Sequence, residues 1–242
     1  MAFQGWRSRQ AIAGAVILIA GAAALSLFLL SRNEDEPPAA AAGQGDAQGM
    51  LPASALPAGG WAPAADASLE ALPEGLIFSV VPPFPECAGM SALEETLQSL
   101  DTAFSNGRSR RFTDGPTTSV THLRVAFSDA AAPATALAAI EASFRDGAVG
   151  RCLEAAARAD GADVVAVESG IASLPAGAAG TSIRLAQTGT ATAIASEVLV
   201  WWHEGSTFAA LNIVRTGEPL VGRELTAIVD GAVAATRQAV AK

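Results

Sequence analysis

The chain has 242 residues, a formal net charge of −9, half of its residues apolar, few aromatics and no tyrosine. An acidic chain repels phosphate backbones, which argues against a nucleic-acid partner. The same charge argues against broad electrostatic adsorption to an anionic membrane surface.

Residues 1–10 read as a short cytoplasmic tail carrying Trp6, Arg7 and Arg9. Residues 11–32 read as a transmembrane signal-anchor. Its core, Ala11 to Leu30, carries no charge, and about 20 helical residues span a bilayer core of roughly 30 Å. The arginines before it, against Glu34, Asp35 and Glu36 after it, put the N-terminus inside and the remainder outside. A cleavable signal peptide is the rival reading. Its apolar core is usually about 7–15 residues, shorter than this run. Ser31-Arg32-Asn33-Glu34 also offers no small-residue cleavage site directly after the run, and no cysteine there could carry a lipid. An uncleaved anchor is therefore the expectation.

Residues 33–68 are rich in Ala, Pro and Gly and show no helical or strand period. They read as a flexible spacer, with a span of roughly 30–35 Å for a ~35-residue coil. Residues 69–242 read as one extracytoplasmic domain, large enough to bury a core.

Within that domain, Leu76–Val81 reads as a strand ended by Pro82-Pro83. A helix follows, with Ser91 and Glu94 as a capping box and Leu93, Leu97, Leu100 and Phe104 as its apolar face. Asn106-Gly107 supplies the stop. Thr121–Phe127 alternates and predicts a half-buried strand. Pro133 suits the first turn of a helix that Gly147 ends, with Leu137, Ile140 and Phe144 inward. Val149–Asp160 predicts another helix. Asp163–Ser169, Thr181–Gln187, Thr190–His203 and Thr207–Arg215 then predict an antiparallel meander with a tight turn at Glu204-Gly205. Pro219 opens a last helix with Leu225, Ile228, Val229, Val233 and Val240 buried. Gly231 weakens that helix and is placed to permit close packing. This order lacks parallel βαβ alternation. The fold class is α+β, a mostly antiparallel sheet sandwiched by helices and preceded by one transmembrane helix.

Cys87 and Cys152 are the only cysteines. Both fall in the part placed outside the cytoplasm, where disulfides persist, so a bridge is expected over two unpaired buried thiols. Their spacing fits neither a redox C-x-x-C motif nor a zinc site.

Phe84-Pro85-Glu86-Cys87 before a helix, the strand Leu123–Phe127 running through Ala130–Pro133 into a helix, the helix bearing Cys152, and the closing meander and helix together resemble actinobacterial extracytoplasmic domains. The resemblance is to PknH-type sensor domains and LpqN-like lipoproteins, with Mog1/PsbP-like folds, and covers roughly residues 76–242. It implies ligand binding or sensing at the cell envelope without catalysis. PknH-type domains usually carry two disulfides, whereas two cysteines make one. No lipobox and no kinase domain occur in these residues. No site residue transfers.

Catalysis would need His122 or His203 beside a serine and a carboxylate, and there is no G-x-S-x-G elbow. Both histidines read as surface residues on a strand face or turn. No ligand spacing supports a metal, and no cofactor is expected. Trp201-Trp202-His203-Glu204 is the most unusual local composition. On a strand the two indoles point to opposite faces. Trp201 or Trp202, with His203, lines a ligand pocket or contacts a partner if one face is open; both rings are core if helices cover both faces. Arg108, Arg110 and Arg111 read as a loop cluster suited to phosphate or carboxylate groups, such as a wall polymer or lipid head group, or else as a solvated loop. The expected function is a membrane-anchored binding or sensory module, not an enzyme, with an unknown small molecule or envelope protein as partner. A structural or assembly protein is the alternative, and a hydrolase the weaker third.

Overall fold

A computed structural model describes residues 49–69, 84–159, 162–169, 171, 174–187 and 193–241. The expected cytoplasmic tail and membrane helix (1–32), the spacer up to residue 48 and the expected strand Leu76–Val81 lie outside these residues. Among the described residues no helix is long and apolar enough to cross a membrane.

The described part forms one seven-stranded antiparallel sheet between helices. In chain order the elements are β1 (Trp61–Leu69), α1 (Ser91–Ser99), β2 (Phe104–Asp114), β3 (Thr118–Phe127), α2 (Ala132–Arg145), α3 (Ala148–Ala159), β4 (Ala162–Ser169), β5 (Ala179–Gln187), β6 (Ala193–Glu204), β7 (Thr207–Arg215) and α4 (Gly222–Val240). The strand order is β1-β2-β3-β7-β6-β5-β4, and each neighbouring pair is antiparallel. Two meanders therefore meet at the β3–β7 pair. Helices α2 and α3 carry the chain from the first meander to the far edge, where the second begins.

Both faces of the sheet are buried. On one face, Leu123, Val125, Ile183, Leu199, Trp201 and Phe208 pack with α1, α2 and α3. On the other, Phe112, Val120, Val198, Val200, Trp202, Leu211 and Ile213 pack with Leu51 and with Leu225, Ile228, Val229 and Val233 of α4. Strand alternation divides the side chains between the two cores. A disulfide joins Cys87, in the 3-10 turn Pro85–Met90, to Cys152 on α3. It closes a 65-residue separation and stabilises the fold by about 4 kcal/mol through loop-closure entropy.

Three expectations are corrected. The spacer does not run to residue 68: Met50 and Leu51 are buried, and Trp61–Leu69 is an edge strand paired along β2. Pro63 sits where the register shifts on an edge strand, the setting in which a sheet tolerates proline. The first helix stops at Ser99, and Phe104 begins β2, so Asn106-Gly107 lies within a strand. At Gly107 the fit is tight: a Cβ would lie 3.0 Å from Leu69 Cδ1 and 3.2 Å from the Arg124 carbonyl oxygen. The capping box at Ser91 does not form. The 3-10 turn Pro85–Met90 runs straight into α1, so Ser91 already has helical angles and cannot act as a cap.

Candidate functional site

Helix α2 lies across the sheet with Phe144 near its C-terminal end. Trp201 of β6 points to the same side and stacks on Phe144, with ring centroids 5.2 Å apart. Offset stacking of this kind adds about 0.5–1.5 kcal/mol beyond area burial. Beside the pair opens a cleft of about 500 Å³, walled by Phe144, Trp201, Ile171, Leu174, Ala178 and Ala179, with Gly180 and Thr181 also lining it. Its volume falls in the range of small-molecule sites, which are mostly apolar with a few polar groups.

The wall from Ile171 to Ala178 depends on Gly180. A Cβ there would stand 2.7 Å from the Leu199 carbonyl oxygen and 3.2 Å from the Cδ1 atoms of Ile171 and Leu174. Thr181 Oγ1 donates to the Glu168 carbonyl at 2.9 Å and is satisfied. At the rim, Glu141 and Arg145 form an i,i+4 pair at 3.9 Å, with the arginine largely exposed. Such a pair contributes little, about 0.3–0.5 kcal/mol, and leaves both groups near bulk water. The indole Nε1 of Trp201 is buried without a hydrogen-bond partner.

The other predicted residues do not join this cleft. Trp201 and Trp202 are both core, 4% and 2% exposed, so no exposed indole patch exists at either. Trp202 faces the opposite layer and stacks on His122, centroids 5.6 Å apart. His203 is exposed beside the β6–β7 turn. Glu204 accepts from Arg237 Nε and ties that turn to α4. Arg108, Arg110 and Arg111 are on β2 and not in a loop. Alternation splits them: Arg108 and Arg110 face the α4 side, Arg111 the other. Arg110 is committed to Asp66, Nε to Oδ1 at 2.9 Å and Nη2 to Oδ2 at 2.8 Å. Burial lowers the pKa of Arg111. Burial, then the charge of Arg108 directly across the strand pair, lowers that of Arg124.

Sequence reading misplaced His122 and missed Glu197. His122 is fully buried, not on the surface. Its Nδ1 accepts the Leu51 amide at 2.9 Å, and its Nε2 lies 3.4 Å from Thr236 Oγ1. Thr236 itself donates to the Ala232 carbonyl. These partners fit a neutral ring carrying its proton on Nε2. Burial, then Arg124 and Arg110, hold its pKa down at about 3. Glu197 lies on the Trp201 side of β6, 4% exposed. Burial pushes its pKa up to about 8, against the opposing effect of a hydrogen bond with Asn212. The signal for Glu197 was its inward register with Leu199 and Trp201. For His122 nothing in the sequence marked the distant Leu51 amide.

No family model matches the chain, and no curated protein matches it. Among solved structures, the chain is similar to the extracellular domain of PknH from Mycobacterium tuberculosis, the type of domain its sequence resembles. The match has 10% sequence identity, covers 80% of this chain and 94% of that one, and has a TM-score of 0.45.

Proposed function

We propose that this protein is a membrane-anchored, non-catalytic binding or sensory module displayed outside the cytoplasm, and that the cleft beside Trp201 takes a small, largely apolar ligand. The cleft carries the reading: about 500 Å³ walled by Phe144, Trp201, Ile171 and Leu174, with charged groups only at its rim. A buried charge on the ligand would find no partner inside, which favours an uncharged body. The disulfide between Cys87 and Cys152 suits an oxidising compartment. The uncharged run Ala11–Leu30 supports a single-pass anchor with the N-terminus in the cytoplasm. An assembly role resting on an exposed indole patch is less supported, because both Trp201 and Trp202 are buried.

Four tryptophans give four indole N–H signals, a number small enough to follow individually by NMR. Titration of the full chain in lipid nanodiscs with 2-naphthol, an uncharged aromatic probe, is expected to shift the Trp201 indole signal most, with at most a smaller change at Trp202. Trp201→Phe assigns the signal. A titration that moves none of the indoles, or moves Trp202 and not Trp201, would overturn the cleft as the ligand site.

A further inference from the structure

The first described residues do more than lead into the sheet. Met50 and Leu51 are 4% and 0% exposed, and Leu51 packs in the core on the α4 side of the sheet. The Leu51 amide donates to His122 Nδ1, and its carbonyl accepts from Arg110 Nη1 at 3.4 Å. Arg110 is in turn held by Asp66. The 3-10 turn Ala53–Ala55 then passes over α4 at Gly231, where a Cβ could not be accommodated against Ala55. Residues 49–56 thus form a strap across one face, held by the buried Met50 and Leu51, by the hydrogen bonds of Leu51 to His122 and Arg110, and by the close contact of Ala55 with Gly231, without a strand ladder of its own.

The latch of this strap touches the cleft through two adjacent residues. His122 stacks on Trp202, and the neighbouring residue, Trp201, forms the wall of the cleft on the opposite face. A shift of the β6 backbone that accommodates a ligand against Trp201 necessarily moves Trp202, and with it the ring that accepts the Leu51 amide. We propose that the strap is a detachable element latched by His122, and that filling the cleft and seating the strap are energetically coupled through Trp201 and Trp202. The strap is also where the folded domain meets the chain that leads back to the expected anchor, so its release is a natural output of ligand binding. The use of this coupling by a ligand rests on the cleft being the ligand site; the latch and the link from Trp201 to the strap do not. Coupling is reciprocal, so the factor by which filling the cleft changes strap opening equals the factor by which strap opening changes affinity for the cleft.

Hydrogen exchange of the full chain in nanodiscs tests both parts. The Leu51 amide is expected to exchange at least tenfold faster than the amides at the centre of β7, because a strap opens without unfolding the sheet. His122→Phe keeps a ring against Trp202 but removes the acceptor; it is expected to speed Leu51 exchange about tenfold further and leave β7 unchanged. Trp201→Phe, which keeps an aromatic wall, and Trp201→Ala, which removes it, are each expected to change Leu51 exchange at least threefold, with the larger change for alanine. Leu51 exchanging in step with β7 in every variant would overturn the latch. A Leu51 rate that responds to His122→Phe but to neither Trp201 variant would overturn the coupling. Should 2-naphthol leave the Trp201 indole unmoved while the Trp201 variants still shift Leu51, the cleft reading fails and the coupling stands.

Discussion

Two buried ionisable residues set opposite pH responses. His122 has its pKa held down at about 3, below the ordinary 6.5. The unfolded chain therefore takes up a proton that the native state refuses, and stability is lost as pH falls from 6.5 towards 3. Glu197 has its pKa pushed up to about 8 from the ordinary 4.5. The native state holds a proton that the unfolded chain releases, so stability is lost as pH rises from 4.5 towards 8. Between 4.5 and 6.5 the two slopes oppose one another, and the contribution of this pair is flat there. Thermal melts across pH 3 to 9 are expected to show a plateau in that window with a fall on each side. Glu197→Gln should flatten the alkaline fall and extend the acid fall up to pH 6.5, because nothing then opposes His122 between 4.5 and 6.5. An alkaline fall of the same size in the variant would show that other groups cause it. Residue-scale features were the least legible in sequence. Alternation placed Trp201 and Trp202 on opposite faces correctly, but whether each face was covered depended on helices packed from far along the chain. His122 looked like a surface residue because its partner, Leu51, lies 71 positions away.

At the scale of elements, α2, α3, the four strands of the second meander and α4 were legible, because each has a clean apolar period or a strong punctuator. Pro133 starts α2, and Gly147, with φ of 70°, ends it. Strands β1 and β2 were not legible. In Trp61–Leu69 the only large apolar residues are the two at its ends, and in β2 the arginines and Asn106-Gly107 imitate a loop. The strand character of β2 comes from pairing with β3, and that of β1 from pairing with β2, not from their own pattern. Gly231 shows an element answering to its neighbour. In an isolated helix, Gly to Ala gains about 1 kcal/mol. Here the added methyl has no room against Ala55 of the strap. Gly231→Ala is therefore expected to lower the denaturation midpoint despite the better helix former, or to displace the strap and speed Leu51 exchange. A simple stabilisation with an unchanged strap would contradict this packing.

For the molecule as a whole, a sheet buried on both faces leaves little apolar surface exposed. Val221 and Val240 are the large hydrophobics exposed among the described residues. Two lone valines do not make an interaction patch, since single exposed apolar residues are ordinary. That shifts weight to the cleft beside Trp201 and away from a flat protein interface. The α+β class, the antiparallel meander and the single disulfide were all legible, because periodicity and cysteine count are properties of the chain itself. The cleft was not, because it is made where α2, Ile171, Leu174, Ala178 and β6 meet, and no local pattern encodes that meeting. The claim on which the rest depends is that the folded domain stands outside the cytoplasm on an N-terminal anchor. Protease treatment of intact cells, followed by non-reducing detection of the C-terminal domain, tests it directly. The domain is expected to be cut away from the cells and recovered in the medium with Cys87 linked to Cys152. A domain that stays protected until the cells are lysed, or that fractionates with soluble cytosol, would contradict it.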